Sequence, residues 1–272
     1  MKMAEKQNPG LALAGMAFRR VVNNISILKF VRRLYTFYGL IIFFILFVIF
    51  FFLLLIPIIF PKKFKLVGTF NRWWAKLLFI LIGLPFKVVY REKLQPGKQY
   101  IFCSNHCSYL DIPTLALNRH NTVFVGKNDM ENIPFFGFMY SKLHITVDRA
   151  KLKSRYITLV KSMEALDAGK SLVIFPEGGI VTKYPPAMGE FKDGAFRAAI
   201  EKQIPIVPVT IPFNWIILPA DQFLLHWKPL KVIFHAPIDP SIYTLKELHI
   251  LKAKVKDIIE NELYSDLSNN EN

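Results

Sequence analysis

Apolar positions fall into two regimes along the chain. Residues 34–60 are 27 consecutive positions without a charge, eight of them Phe. Wound as a helix such a run is about 40 Å long, more than the roughly 30 Å of a hydrocarbon core. A second apolar stretch, 70–86, is too short and too interrupted to span, and it carries Trp73 and Trp74. It predicts an interfacial helix over about 70–84, the alternative being a core helix of the main domain. After Pro85 the pattern switches to short β-prone runs at 87–90, 100–103, 122–125, 145–147, 172–175, 206–209 and 232–235. Several are continuous rather than alternating, as strands covered on both faces require. Between them 151–168 reads as a helix stopped by Gly169, and 194–202 as a helix opened after Asp193. Residues 244–264 form an amphipathic pattern, with Leu248, Leu251, Val255, Ile258 and Ile259 on one side and a Thr244-x-x-Glu247 capping box at its start.

Strands alternating with helices predict an α/β fold: a mostly parallel or mixed sheet of about seven strands flanked by helices, preceded by an N-terminal membrane-anchoring helical segment. The predicted division is 1–86 for the basic N-terminus and anchor, 87–265 for the main domain, and 266–272 for a flexible tail.

Composition and charge sharpen this picture. With 53% hydrophobic residues and 25 Phe, the chain is not disordered. Its formal charge of +15 is concentrated, because residues 1–72 hold 11 of the 35 Lys and Arg against one acid, Glu5. The rest of the chain is only +5. Arg32 and Arg33 precede the apolar run, Lys62, Lys63 and Lys65 follow it, and Tyr35 and Tyr38 stand where an interfacial aromatic belt would. This arrangement predicts contact with anionic lipid headgroups, at about 1 kcal/mol per juxtamembrane cation, and not with nucleic acid. Because both flanks are basic, the positive-inside rule gives no orientation. A segment that dips and returns, with Pro57 marking a bend, or that lies in one leaflet would keep both flanks on one side. The apolar run is too long for a cleaved signal peptide and no small-residue cleavage site ends it. Cys103 and Cys107 are the only cysteines, which excludes a disulfide scaffold and points to a reducing compartment. No second ligand pair supports a zinc site around His106.

Three stretches carry candidate chemistry. In Asn105-His106-Cys107-Ser108-Tyr109-Leu110-Asp111, an imidazole after a strand precedes a carboxylate at a helix start, so the two can act as a base and its orienting acid. Residues five apart on a helix diverge, so the pairing requires His106 to lie in the preceding loop. The blander alternative is a capping box between Ser108 and Asp111. Phe175-Pro176-Glu177-Gly178-Gly179 closes another strand, where glycines let backbone N–H groups approach an anion. Lys127 and Arg149 flank the aromatic turn Ile133-Pro134-Phe135-Phe136-Gly137, a setting for phosphate recognition near a membrane.

In order and spacing these segments resemble the lysophosphatidic acid acyltransferases of the glycerophospholipid acyltransferase superfamily, over roughly residues 90–237. The family's Asn-His-x-Ser-x-x-Asp is matched at Asn105, His106, Ser108 and Asp111. A Lys-led Ile-Pro-Phe-Phe-Gly segment with a later Arg is matched at Lys127, Ile133 to Gly137, and Arg149. Phe-Pro-Glu-Gly falls on Phe175 to Gly178, followed by Phe-Lys-x-Gly-Ala at Phe191 to Ala195, and Val-Pro-Val on Val207 to Val209. The resemblance implies acyl transfer from acyl-CoA or acyl carrier protein to the hydroxyl of lysophosphatidic acid, giving phosphatidic acid without metal or bound cofactor. His106 would be the general base and Asp111 its partner. Asn105, Ser108, Lys127, Phe135, Gly137, Arg149, Glu177, Gly178 and Lys192 would bind substrate. The implied location is a bacterial inner membrane, with the active site on the cytoplasmic face. Cys107 beside His106 raises a covalent-thiol route, which the family pattern does not require.

Two departures bear on the acceptor. Gly179 and Ile180 stand where the family usually has Thr-Arg, and that Arg is implicated in holding the acceptor's phosphate. Lys127, Arg149, Lys183 or Lys192 would then supply the cation, or the acceptor is a lyso-aminolipid such as a lyso-ornithine or lyso-glycine lipid. Leu143 stands where Gly often precedes the motif's Arg. From a different class, a non-catalytic lipid-binding membrane protein predicts loss of His106 or Asp111, and both are present.

Overall fold

The computed structural model describes residues 9–148, 152–182 and 184–268, with the backbone alone for 9–25, 127, 152 and 155. The chain opens with α1 (Pro9–Ile59) and, after a 3₁₀ turn, α2 (Lys65–Leu81). There follow β1 (Phe86–Tyr90), β2 (Ile101–Ser104), α3 (Asp111–Ala116), β3 (Thr122–Lys127), α4 (Phe136–Leu143), β4 (Ile145–Val147), α5 (Leu152–Asp167) and β5 (Ser171–Ile174). The chain closes with α6 (Gly194–Lys202), β6 (Ile206–Thr210), α7 (Asn214–Ile217), β7 (Leu230–Phe234) and α8 (Leu248–Ser268).

The seven strands form one sheet in the order β1-β7-β6-β2-β5-β3-β4. Neighbours are parallel except β6 and β7, so β1 and β7 run against the other five. This is the expected α/β architecture. The continuous apolar character of the strands follows from burial on both faces. Ile101, Cys103, Leu172 and Ile206 meet Phe196 and Ala199 of α6 and Leu251, Val255 and Ile259 of α8. Phe102, Phe124, Val173, Val207 and Phe234 point the other way and share a cluster with Leu115 of α3. Successive residues of β2 thus enter different clusters, as the two-residue period of a strand dictates.

The helices α1 and α2 form an antiparallel pair. Tyr35 Oη donates to the carbonyl of Ile82 at 2.7 Å and Tyr38 Oη to that of Leu81 at 2.8 Å, tying the start of the apolar run to the end of α2. Pro57 lies in the last turn of α1 and does not bend the chain back there. The helix ends at Ile59, just before Pro61, and the return is made by α2. The described stretch Ser26–Ile59 is long and apolar enough to cross a membrane by length and composition. Yet Leu46 and Phe50 of α1 share a buried cluster with Leu110, Phe213, Leu218 and Leu225, and Leu54 shares one with Met139 and Leu143 of α4. The boundary expected near residue 86 therefore separates elements that share a core.

Two extents differ from expectation. α2 starts at Lys65, and it is exposed on one face and core on the other: Val67, Gly68, Ala75, Leu78 and Phe79 are buried while Trp73 and Ile80 are exposed. Gly68 permits this docking, because a Cβ there would stand 2.7 Å from Asn121 Cα. α8 continues through Asp266, which pairs with Lys231 at 2.6 Å, so the helix takes up residues assigned to a free tail.

Candidate functional site

The site is assembled at the carboxyl ends of β6, β2 and β5, the central strands of the sheet, where ligands bind in open α/β folds. The loop after β2 carries His106. Its Nδ1 lies 2.9 Å from Asp111 Oδ2, and Asp111 opens α3, so the loop placement needed for the pairing is realised. The same Oδ2 accepts the backbone N–H groups of Cys107 at 2.8 Å and Ser108 at 2.9 Å, while Oδ1 accepts Asn214 Nδ2 at 2.9 Å. A carboxylate ringed only by donors keeps the His106 proton on Nδ1 and leaves Nε2 as the acceptor nitrogen. The imidazole is stacked on Phe175, ring centroids 3.9 Å apart and 17° from parallel. Its side chain keeps 12% exposure beside an Asp111 that keeps 1%.

Several residues expected to hold a ligand serve instead to brace this loop. Asn105 is consumed by the backbone of Ile211: its Nδ2 donates to the carbonyl at 3.0 Å and its Oδ1 accepts the N–H at 2.9 Å, fastening the loop to the end of β6. Ser108 Oγ donates to Leu218 O at 2.7 Å and is fully buried. Glu177 is 2% exposed; Oε1 accepts His106 N–H and Oε2 accepts Gly189 N–H, both at 2.8 Å. Burial raises the Glu177 carboxyl above its usual value, against the pull of those two amides. Such short polar side chains are cheap to bury only when fully hydrogen-bonded, and here they fix the position of His106.

Gly178 has φ +83°, which favours glycine, and it turns the chain after β5 beside the side chain of Lys192. Lys192 is exposed and its N–H is bonded to Pro176 O at 2.8 Å, so its backbone is held at the Phe-Pro-Glu-Gly turn. Gly137 is held for space, since a Cβ would lie 2.0 Å from Glu131 O. Phe135, 71% exposed, meets Phe51 of α1 edge to face, which places it at the anchor rather than beside His106. Lys127 ends β3 with its side chain outside the described residues, and Arg149 and Lys183 lie outside them altogether. The thiol of Cys107 is pushed far up by burial and by the nearby Asp111 and Glu177, which leaves it a poor nucleophile.

Sequence reasoning missed two features. Asn214, the residue that holds the outer side of Asp111, is the lone polar position in Ile211-Pro212-Phe213-Asn214-Trp215-Ile216-Ile217, and that isolation was its only signal. The second is a cavity of about 530 Å³ between the helix pair and the sheet domain. Its walls are Phe43, Phe47 and Phe50 of α1, Trp74 and Leu78 of α2, Ile112 and Ala116 of α3, Phe136 and Met139 of α4, and Leu218, Phe223 and Leu225. Tyr109 and Leu110 of the His106 loop line it as well, so it adjoins the loop that carries His106. A space of this size and polarity suits an extended apolar ligand.

Comparison with known proteins gives a consistent setting. Residues 85–212 match the family model described as Acyltransferase. The chain is 31% identical over 178 residues to a chloroplastic 1-acyl-sn-glycerol-3-phosphate acyltransferase of Arabidopsis thaliana, covering 63% of this chain and 49% of that protein. It is 35% identical over 189 residues to the 1-acyl-sn-glycerol-3-phosphate acyltransferase of Saccharomyces cerevisiae, 68% of this chain and 62% of the other. To that of Haemophilus influenzae it is 29% identical over 202 residues, 72% of this chain and 81% of the other. The chain thus spans about half the length of the chloroplastic relative. The crystal structure of the 1-acyl-sn-glycerophosphate acyltransferase PlsC from Thermotoga maritima has the same fold, with a TM-score of 0.74 at 22% identity over 87% of this chain and 96% of that one.

Proposed function

We propose that the chain, whose residues 85–212 match the acyltransferase family model, acylates lysophosphatidic acid to phosphatidic acid at a membrane surface. The observation that carries this reading is the His106–Asp111 pair, with Nε2 left unpaired among the described residues, on a loop whose Tyr109 and Leu110 line an apolar cavity. Nε2 removes the proton of the lysolipid hydroxyl as that oxygen attacks the thioester carbonyl. Asp111 holds the tautomer and stabilises the imidazolium. The tetrahedral intermediate expels the thiolate of CoA or acyl carrier protein, which takes the proton back from His106. The acyl chain lies in the cavity, Lys127, Arg149 and Lys192 are the cations assigned to the acceptor's phosphate by their places in the family pattern, and no metal or bound cofactor takes part.

The anchor lies in the surface rather than across the bilayer. α1 is docked from Thr36, whose Oγ1 accepts Leu225 N–H, to Leu54 against α4, roughly 27 Å of helix. Crossing would draw α4 and the loop at Leu225 through the hydrocarbon beside it, with their exposed backbone groups unsatisfied. The outward face of α1, with Phe37, Ile41, Phe44, Ile45, Val48 and Phe52 exposed, instead enters one leaflet, on the cytoplasmic side of a bacterial inner membrane. The basic flanks at Arg32–Arg33 and Lys62–Lys63 then meet anionic headgroups together.

Ile180 favours a second acceptor class, a lyso-aminolipid without a phosphate monoester. One assay separates the two. Protein in nanodiscs is given acyl-CoA or acyl carrier protein donors and a panel of lysolipids, beside His106→Ala. Thiol release with lysophosphatidic acid alone supports the first acceptor, release with lyso-aminolipids alone supports the second, and no release on any acceptor overturns the enzyme reading.

A further inference from the structure

The cavity beside the catalytic loop is apolar on nearly every side, and among its few polar lining residues, Thr36, Asn71, Tyr109, Tyr140 and His144, two present donors that a plain hydrocarbon chain does not need. His144, between α4 and β4, accepts the backbone N–H of Phe124 on Nδ1 at 3.3 Å. A backbone amide can only donate, so the ring proton resides on Nε2. Enclosure by protein pushes this imidazole down to about 4, and the ring stays neutral at ordinary pH. Its other contacts are the rings of Phe124 and Tyr140, at 5.4 and 5.2 Å. Nε2–H therefore meets no polar partner among the described residues, and the part of the ring left accessible lines the cavity. Asn71 lines the same cavity from α2, and its amide also has no polar partner among the described residues. Gly68, one turn earlier, donates to Asn121 at the entry of β3, so Asn71 stands near the strand that holds Phe124.

Both side chains are only partly buried and line the cavity, and a few polar groups in an apolar cavity mark a ligand that brings polar atoms of its own. The sheet register fixes where along the ligand they act. Phe124 lies level with Val173 and Phe102, and the His106 ring stacks on Phe175, two residues beyond Val173 and so about 7 Å farther along the strand direction. These donors thus meet the chain some distance from the reacting carbonyl.

We propose that the cavity selects acyl chains bearing an oxygen part-way along, as a hydroxyl or oxo group, held by His144 Nε2–H and the Asn71 amide; this rests on the reading of the cavity as the acyl site. The test uses the full chain in detergent. A fluorescent fatty acid is displaced by long-chain fatty acids that are unsubstituted or carry one hydroxyl or oxo group at successive positions, and the same chains are supplied as CoA thioesters for turnover. One positional isomer is expected to bind at least about tenfold more tightly than the unsubstituted chain, because a site built to hydrogen-bond a substituent rejects the analogue lacking it. His144→Phe is expected to abolish or reverse that preference. His144→Gln, whose amide can accept from Phe124 N–H and still donate into the cavity, is expected to keep it. Binding that ignores the substituent at every position overturns the proposal even where turnover proceeds. Discrimination in binding without turnover on any acceptor upholds it and removes the acyltransferase reading, and absence of both binding and turnover removes both.

Discussion

Asn214 Nδ2 donates to Asp111 Oδ1 at 2.9 Å, on the carboxylate oxygen opposite the one that holds His106. The same nitrogen donates to Thr114 Oγ1 at 2.9 Å, which fixes the amide between α7 and α3. Asn214 therefore orients the residue that holds the proposed base. Replacing it by Ala removes a hydrogen bond to a charged group, about 1.5–3 kcal/mol, and is expected to lower kcat tenfold to a hundredfold with little change in KM for the acyl donor. Without that donor the Asp111 charge is less dispersed and holds imidazolium more strongly. The acidic limb of the pH–rate profile should consequently move to higher pH. A loss of activity with an unmoved limb would mean that Asn214 is only structural.

His106→Ala should reduce turnover by about a thousandfold or more while leaving the thermal transition near that of the parent, since Asp111 keeps the Cys107 and Ser108 N–H groups and Asn214 as donors. Phe175→Leu keeps an apolar contact and loses the flat face on which the imidazole stacks. It should lower kcat by about tenfold, an orientation effect. Cys107→Ser should stay within a few-fold of the parent, because the thiol is buried and held protonated. A drop in the Cys107→Ser variant as large as that in His106→Ala would revive the covalent route.

What could be read in the sequence followed from the period of its apolar positions. The strands were legible because two-sided burial leaves continuous apolar runs, and α6 and α8 because Asp193 and the Thr244–Glu247 pair mark their starts. The pairing of His106 with Asp111 was legible from spacing once the loop was placed. The bracing by Asn105, Ser108 and Glu177 was not, because their partners lie at Ile211, Leu218 and Gly189, residues that meet them only through the strand order. The cavity was equally hidden. Phe and Trp at helical spacing in α1 and α2 serve a membrane face and a cavity wall alike, and only the docking of the two helices on the sheet domain divides those roles.

An anchor that lies in one leaflet leaves both ends of its apolar run on the same side. With Cys103 and Cys107 buried, single cysteines at Arg33 and Lys63 can be labelled in inverted and right-side-out vesicles by an impermeant maleimide. Both positions should react in the inverted vesicles and neither in the right-side-out ones; opposite sidedness would make α1 a span. In the same geometry, Phe44→Glu together with Phe52→Glu should release the protein into the soluble fraction, since both rings are more than 60% exposed and neither supports the core. Each substitution places a charge where a ring had been desolvated by lipid.

His144 also makes stability depend on pH, with a sign that can be worked out. Its ring titrates near 4 in the folded chain against a usual 6.5. Between those values the unfolded chain takes up a proton that the folded chain refuses, so stability falls as pH drops from 6.5 toward 4, by up to ~3 kcal/mol from this group. His120 and His235, lowered by burial, act in the same direction. Glu177, raised by burial, acts in the opposite one. All three persist in His144→Gln, so the difference between parent and variant isolates one ring. Denaturant midpoints in detergent at pH 7, 5.5 and 4 should converge between parent and variant as the pH falls, because only the parent carries the extra proton linkage. Parallel curves would mean that the imidazole is protonated inside the fold, and with that the Nε2 donor assigned to a neutral ring would lose its basis.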